Sequence, residues 1–67
     1  MEGWTLVYTG TQVHDVEFIK AVLDENNIIS VIVNKQDSAY LIGDVELYVS
    51  FADAFKASQF INNLKSE

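Results

Sequence analysis

The spacing of apolar residues changes period several times along this 67-residue chain, and each change marks an element. Residues 4–9, WTLVYT, mix β-branched and aromatic side chains as a strand does. After the break TGTQ the spacing turns helical. Val16, Ile19 and Leu23, flanked by Val13 and Val22, share one wide face of a helix predicted near 12–26. Thr11 is placed to serve as its N-cap, and Asp15 and Glu17 suit the positive end of the helix dipole. The stretch DENN closes it, because Asn tolerates the left-handed conformation that ends many helices. Residues 28–33, IISVIV, are too short and too β-branched for a helix and predict a buried strand. Residues 45–50, VELYVS, alternate cleanly, with Val45, Leu47 and Val49 on one side and Glu46, Tyr48 and Ser50 on the other. SFAD then forms a capping box, Ser50 as N-cap and Asp53 reaching back to it. The closing helix, about 52–64, aligns Ala54, Ala57, Ile61 and Leu64, with Phe51, Phe55 and Phe60 adding bulk.

The order β-α-β-β-α predicts one α+β domain spanning 1–67. Two helices on one face of a three-stranded sheet bury both apolar stripes economically. The handedness of crossover connections places the third strand between the first two, giving an antiparallel sheet of order 1-3-2. This is the ferredoxin-like β-α-β-β-α two-layer sandwich, the split β-α-β arrangement without its last strand, and it leaves the outer edge of strand 1 bare.

Between the second and third strands lies a stretch of mixed character. Lys35 to Ser38 predicts a mobile connector, whereas Tyr40, Leu41 and Ile42 are too apolar for an idle loop. They either lengthen strand 3 before a kink at Gly43-Asp44 or fold over an end of the core; a β-bulge at Gly43 accommodates both.

Composition narrows the partners. A domain of this length buries only about 60% of the surface its unfolded chain exposes. With no cysteine, neither disulfides nor thiolate metal sites can staple it. Ten acidic residues against four basic ones give a formal charge of −6, and the basic residues Lys20, Lys35, Lys56 and Lys65 are scattered. Nucleic acid and anionic membrane are therefore poor partners. The longest strongly apolar run falls far short of the ~20 residues that span a bilayer. MEGWTL lacks the basic-then-apolar pattern of a signal peptide, so a cytoplasmic location is expected.

The segments LVYTGTQVHDVEFIKAVLDENNIISVIVN and VELYVSFADAFKASQFI resemble the prokaryotic signal-transducing protein family, a small bacterial domain of unknown function. The resemblance rests on Tyr8-Thr9 at the end of a strand, on Leu23 through Ile28 at a helix exit, and on Val49, Asp53, Ala54 and Ala57 leading into the last helix. It covers nearly the whole chain. The usual glycine at the helix exit is Asn27 here, and the cysteine-rich segments of some relatives have no counterpart. The resemblance implies a ferredoxin-like fold related in shape to PII-type regulators, and no established activity.

Candidate chemistry is sparse. His14 is the sole histidine; with Glu17 at i, i+3 it would supply two metal ligands and lacks a third, so a solvated first-turn histidine accounts for it better. No nearby Ser or Cys in sequence awaits activation by it. Asp24 and Glu25 sit at a helix exit, where carboxylates are ordinarily solvated. No catalytic set, metal or cofactor is expected. Gly10, Thr11 and Gln12 precede a helix N-terminus that could hold an anionic ligand, but a lone glycine is not a phosphate loop, and Gly10 reads better as an ordinary turn residue. An exposed Tyr48 raises base stacking, which the missing RNA-binding signature, the absence of arginine and the charge oppose.

There remains the sheet face turned away from the helices. By alternation Tyr48 and Glu46 point there. Val7 and Ile32 are expected beside them, with Thr5, Thr9 and Ser30, so that Val7, Tyr48 and Ile32 form a row. Strand 1 also admits the opposite parity, in which Trp4, Leu6 and Tyr8 exchange faces with Thr5, Val7 and Thr9. Such a row suggests a docking surface; three apolar residues on a polar face are also ordinary. Val7, Ile32, Tyr48 and Tyr40 are the docking candidates for a protein partner or a homodimer, through this face or the bare edge of strand 1. The alternative is a sensor whose small-molecule ligand lies between Gly10, Thr11, Gln12 and the 35–44 segment.

Overall fold

The computed structural model describes residues 2–36 and 43–65, the side chain of Lys65 excepted. The elements follow the expected order: β1 (Trp4–Gly10), α1 (Val13–Glu25), β2 (Ser30–Asn34), β3 (Val45–Ser50), a 3-10 turn (Phe51–Asp53) and α2 (Ala54–Lys65). The sheet is antiparallel with order β1-β3-β2, the α+β arrangement the sequence predicts. Val45, Leu47 and Val49 are fully buried and pack with Val16, Ile19 and Leu23 of α1 and with Ala57 and Ile61 of α2. Both helices therefore cover the same face of the sheet. The molecule measures 35 × 33 × 17 Å, a slab two layers thick.

The exit of α1 sets the phase of the next strand. Asn27 adopts φ 63°, in the left-handed region. Its N–H donates to the Asp24 carbonyl at 3.1 Å, and the Ile28 N–H donates to the Leu23 carbonyl at 2.9 Å. This pair of bonds is a Schellman motif, completed by burial of both Leu23 and Ile28 in the core. At the other end the N-cap is Gln12, one residue beyond the expected Thr11, with no side-chain capping bond. At the start of the 3-10 turn, Ser50 Oγ accepts from the Ala52 N–H at 3.2 Å.

Two expectations about strand faces are overturned. In β1 the register runs Thr5 opposite Val49 and Leu6 opposite Tyr48, then resumes at Tyr8 opposite Leu47. Val7 is an extra residue, a β-bulge. Directly opposed residues share a face, so Thr5 and Tyr8 both turn toward the helices, and Val7 packs against the core with them. Each of the two parities holds on one side of the bulge. In β2, Ser30 lies opposite Val49 and Ile32 opposite Leu47, so both face the helices; Val31 and Val33 face away. The reason is Ile28, which the Schellman motif tucks into the core. Burial then alternates from it, Ile28 and Ser30 buried and Ile29 exposed between them. Val7 and Ile32 are thus core-facing and do not flank Tyr48.

Candidate docking face

The paired strands bring Trp4, Leu6 and Thr9 of β1, Glu46, Tyr48 and Ser50 of β3, and Val31 and Val33 of β2 to the side away from the helices. One cross-strand row is apolar across the whole sheet: Leu6, Tyr48 and Val31. It stands one position away, on both edge strands, from the row that alternation predicts. Tyr48 occupies its centre on the middle strand. Leu6 is the most open member at 46% exposure. The neighbouring row is Thr9, Glu46 and Val33.

Glu46 is the charged member of these rows, and its carboxylate is bonded twice through one oxygen. Tyr48 donates its hydroxyl to Glu46 Oε1 at 2.8 Å. The Lys35 ammonium, just past the end of β2, sits 3.2 Å from the same oxygen. The Glu46 side chain is only 15% exposed, against 58% for Lys35. The Tyr48 hydrogen bond, followed by that from Lys35, holds the Glu46 carboxyl below its ordinary range. In return the bond to Glu46, with partial burial, raises the Tyr48 phenol, and Glu46 raises Lys35. At neutral pH the carboxylate stays ionised and the phenol stays protonated. This arrangement clamps the tyrosine ring in place and offers no poised proton donor or acceptor.

The residues of the sensor reading are divided by the structure. Thr11 and Gln12 line a recess of about 490 Å³ with Val13, His14 and Gln36. The Gln36 carboxamide donates to the Thr11 carbonyl at 2.5 Å and to the Gly43 carbonyl at 3.4 Å, so the turn before α1 and the start of the 35–44 segment do meet. Gly10 does not line the recess. It is the last residue of β1, paired with Val45, and a Cβ there would lie 3.2 Å from both the Tyr8 ring and Val16. Glycine at this position serves close packing of strand against helix, not a turn. Tyr40 lies outside the described residues, as do residues 41 and 42.

On the helix layer, Tyr8, His14, Asp15, Phe18, Ile19, Ile61 and Leu64 line a groove of about 440 Å³. His14 and Asp15 approach to 3.5 Å, both well exposed. Among the described residues no three His, Cys, Asp or Glu side chains converge as metal ligands, and no helix is long and apolar enough to cross a membrane.

Sequence reasoning finds Tyr48, leaves Leu6 open as one of two parities and misses Val31. The signal for Val31 is present, since counting outward from a buried helix-exit Ile28 gives the phase of β2. No comparable signal marks the bulge. Comparison of the chain with family models, with curated proteins and with solved structures found no match.

Proposed function

We propose that this chain is a non-catalytic interaction module that docks a protein through the helix-free face of its sheet, with bacterial signal transduction, the setting suggested by the name of the family it resembles, as its context. The observation that carries this reading is the Leu6–Tyr48–Val31 row, apolar across all three strands and centred on an aromatic ring that Glu46 holds in place. Protein interfaces concentrate their binding energy on such central aromatic anchors. The bare edge of β1 is the weaker of the two docking routes. A bulge at Val7 interrupts that strand, and bulges are among the devices that discourage an edge from adding another strand.

A photo-crosslinking amino acid placed at Leu6 or at Gln59 in cells producing the full chain tests the reading. Leu6 lies on the sheet face and Gln59 is exposed on α2. A protein adduct from position 6 and none from position 59 is expected. No adduct from either, or equal adducts from both, would remove the docking face.

A second reading is supported by one observation, the Gln36 bridge that closes the recess beside Thr11 and Gln12. In this reading a small molecule with a polar group is sensed there. An NMR titration with nucleotides and amino acids decides it: saturable shifts at Thr11, Gln12 and Gln36 favour the sensor, and unmoved resonances dismiss it for those ligands.

A further inference from the structure

Resting on the docking reading of the same face, we propose that its occupant is a second copy of this chain, packed sheet to sheet about a two-fold axis near Tyr48. Charge is the first argument. The chain carries −6, so two copies repel wherever their acids meet. Asp15, Glu17, Asp24 and Glu25 all stand exposed on α1, in the opposite layer. The paired strand positions of the helix-free face carry a single charge, Glu46, with Lys35 3.2 Å from it and Asp44, just before β3, also near that lysine. This surface therefore opposes fewer acids when two such chains meet than the α1 surface does. A basic partner would be drawn instead to the helix layer.

Distance adds to this. The slab is 17 Å thick, and charges are screened over about 8 Å at physiological ionic strength. With the sheets in contact, the α1 carboxylates of the two copies lie on opposite outer surfaces, beyond the reach of their repulsion.

Size is the second argument. A standard specific interface takes about 800 Å² from each partner. The three strands, five to seven residues long and about 4.8 Å apart, form the centre of such a patch, and its rim comes from the segments around them. Packed sheets stand about 10 Å apart with their side chains interdigitated, which suits a face built from Leu6, Val31, Val33 and Tyr48. A two-fold contact is self-complementary, so a central row with Tyr48 on the middle strand would meet its own copy at the axis. The product is a four-layer assembly, helices outside and sheets within. It would also extend the apolar core of a domain near the lower size limit for independent folding.

Sedimentation velocity on the full chain, from micromolar to millimolar concentration, tests this. The wild type is expected to shift reversibly from one to two copies. Val31→Lys and, independently, Leu6→Lys should weaken dimerisation by at least about tenfold. Gln59→Lys, which adds the same charge to the helix layer, should leave it unchanged. Circular dichroism and dispersed amide resonances confirm that each variant is folded; two sheet variants on different strands guard against one failing to fold. Added salt should leave the dimer intact or strengthen it. A wild type that stays monomeric, sheet variants that dimerise as the wild type does, or a dimer that salt dissolves would each overturn the proposal. If the wild type is monomeric while position 6 still crosslinks to another protein, only the dimer falls. If no crosslink forms either, the docking reading falls with it.

Discussion

β3 and β1 lie side by side in one sheet and obey different rules. β3 has a neighbour on each side and both helices over one face, so its buried and half-buried residues alternate without exception. Shifting it by a single residue would carry Val45, Leu47 and Val49 out of the core. Among the described residues β1 is paired on one side only. There Val7 is an extra residue, with regular pairing on either side of it. Phase in this sheet is enforced from the centre and relaxed at the edge, and the docking row inherits both conditions: Tyr48 from the rigid strand, Leu6 from the permissive one.

The severest test of this contrast is to delete one residue from each strand. Removing Tyr48 should abolish cooperative unfolding, because every buried residue on one side of the cut changes face. Removing Val7 should leave a folded domain, because Leu6 and Tyr8 already face opposite sides and pair with adjacent residues of β3. Thermal unfolding monitored by circular dichroism separates the outcomes. If both deletions unfold the domain, β1 is as tightly specified as β3.

Side-chain truncation is a milder version. Leu47→Ala empties a fully buried site in the core and should cost about 2–5 kcal/mol in denaturant titration. Leu6→Ala, at 46% exposure on the other face, should cost less than about 1 kcal/mol. Similar costs would mean that Leu6 is covered in solution, as a dimer at high concentration would require, so the measurement belongs at low concentration.

β2 offers the same contrast from the other edge. Ser30 faces the core opposite Val49, 5% exposed, and its hydroxyl has no hydrogen-bond partner among the described residues. Leaving a buried hydroxyl unsatisfied costs about 1–3 kcal/mol. Ser30→Ala should therefore raise stability, by about 1 kcal/mol once the lost packing is discounted. A loss of stability would mean that the hydroxyl is bonded.

The smallest effect concerns the clamp on Tyr48. Because the folded state lowers the Glu46 pKa, its contribution is present above the ordinary value of 4.5 and fades as pH falls through the folded-state value. Glu46→Gln should therefore show a shallower loss of stability in acid than the wild type. The raised Tyr48 phenol acts at the other end: its contribution is present below the ordinary value of 10.0 and is lost as pH rises through the folded-state value. Tyr48→Phe should flatten that alkaline limb. Parallel pH profiles for wild type and variants would show that the hydrogen bond contributes nothing measurable.

The helix exit at Asn27, the alternation of VELYVS and the 1-3-2 order were all legible in the sequence, because each depends on contacts between near neighbours or on a general rule of chain connection. Two kinds of information were not legible. IISVIV is apolar at every position but one, so alternation says nothing about its phase. Its single polar residue, Ser30, points inward, which reverses the natural inference from polarity. The bulge at Val7 depends on what β3 offers opposite it, and nothing in WTLVYT announces an extra residue. The sensor reading set Thr11 and Gln12 opposite the 35–44 segment, but the bridging bond from Gln36 to Thr11, 25 positions apart, depends on tertiary placement alone. The candidate face was thus readable at its centre, left open on β1 and misread on β2.

Gly43 has a use apart from recognition. Its φ is 120°, and a Cβ there would stand 2.7 Å from the Lys35 carbonyl oxygen, so a larger residue is refused. Beside it, the Lys35 N–H donates to the Asp44 carbonyl at 2.9 Å, and Gln36 reaches the Gly43 carbonyl. The two ends of residues 36–43 are buckled together whatever lies between them. Doubling the length of a flexible loop costs only about 0.6 kcal/mol. If these bonds alone hold the ends, a glycine-serine insert between Gln36 and Gly43 should lower the melting temperature by only a few degrees, and a collapse of the fold would show that they do not.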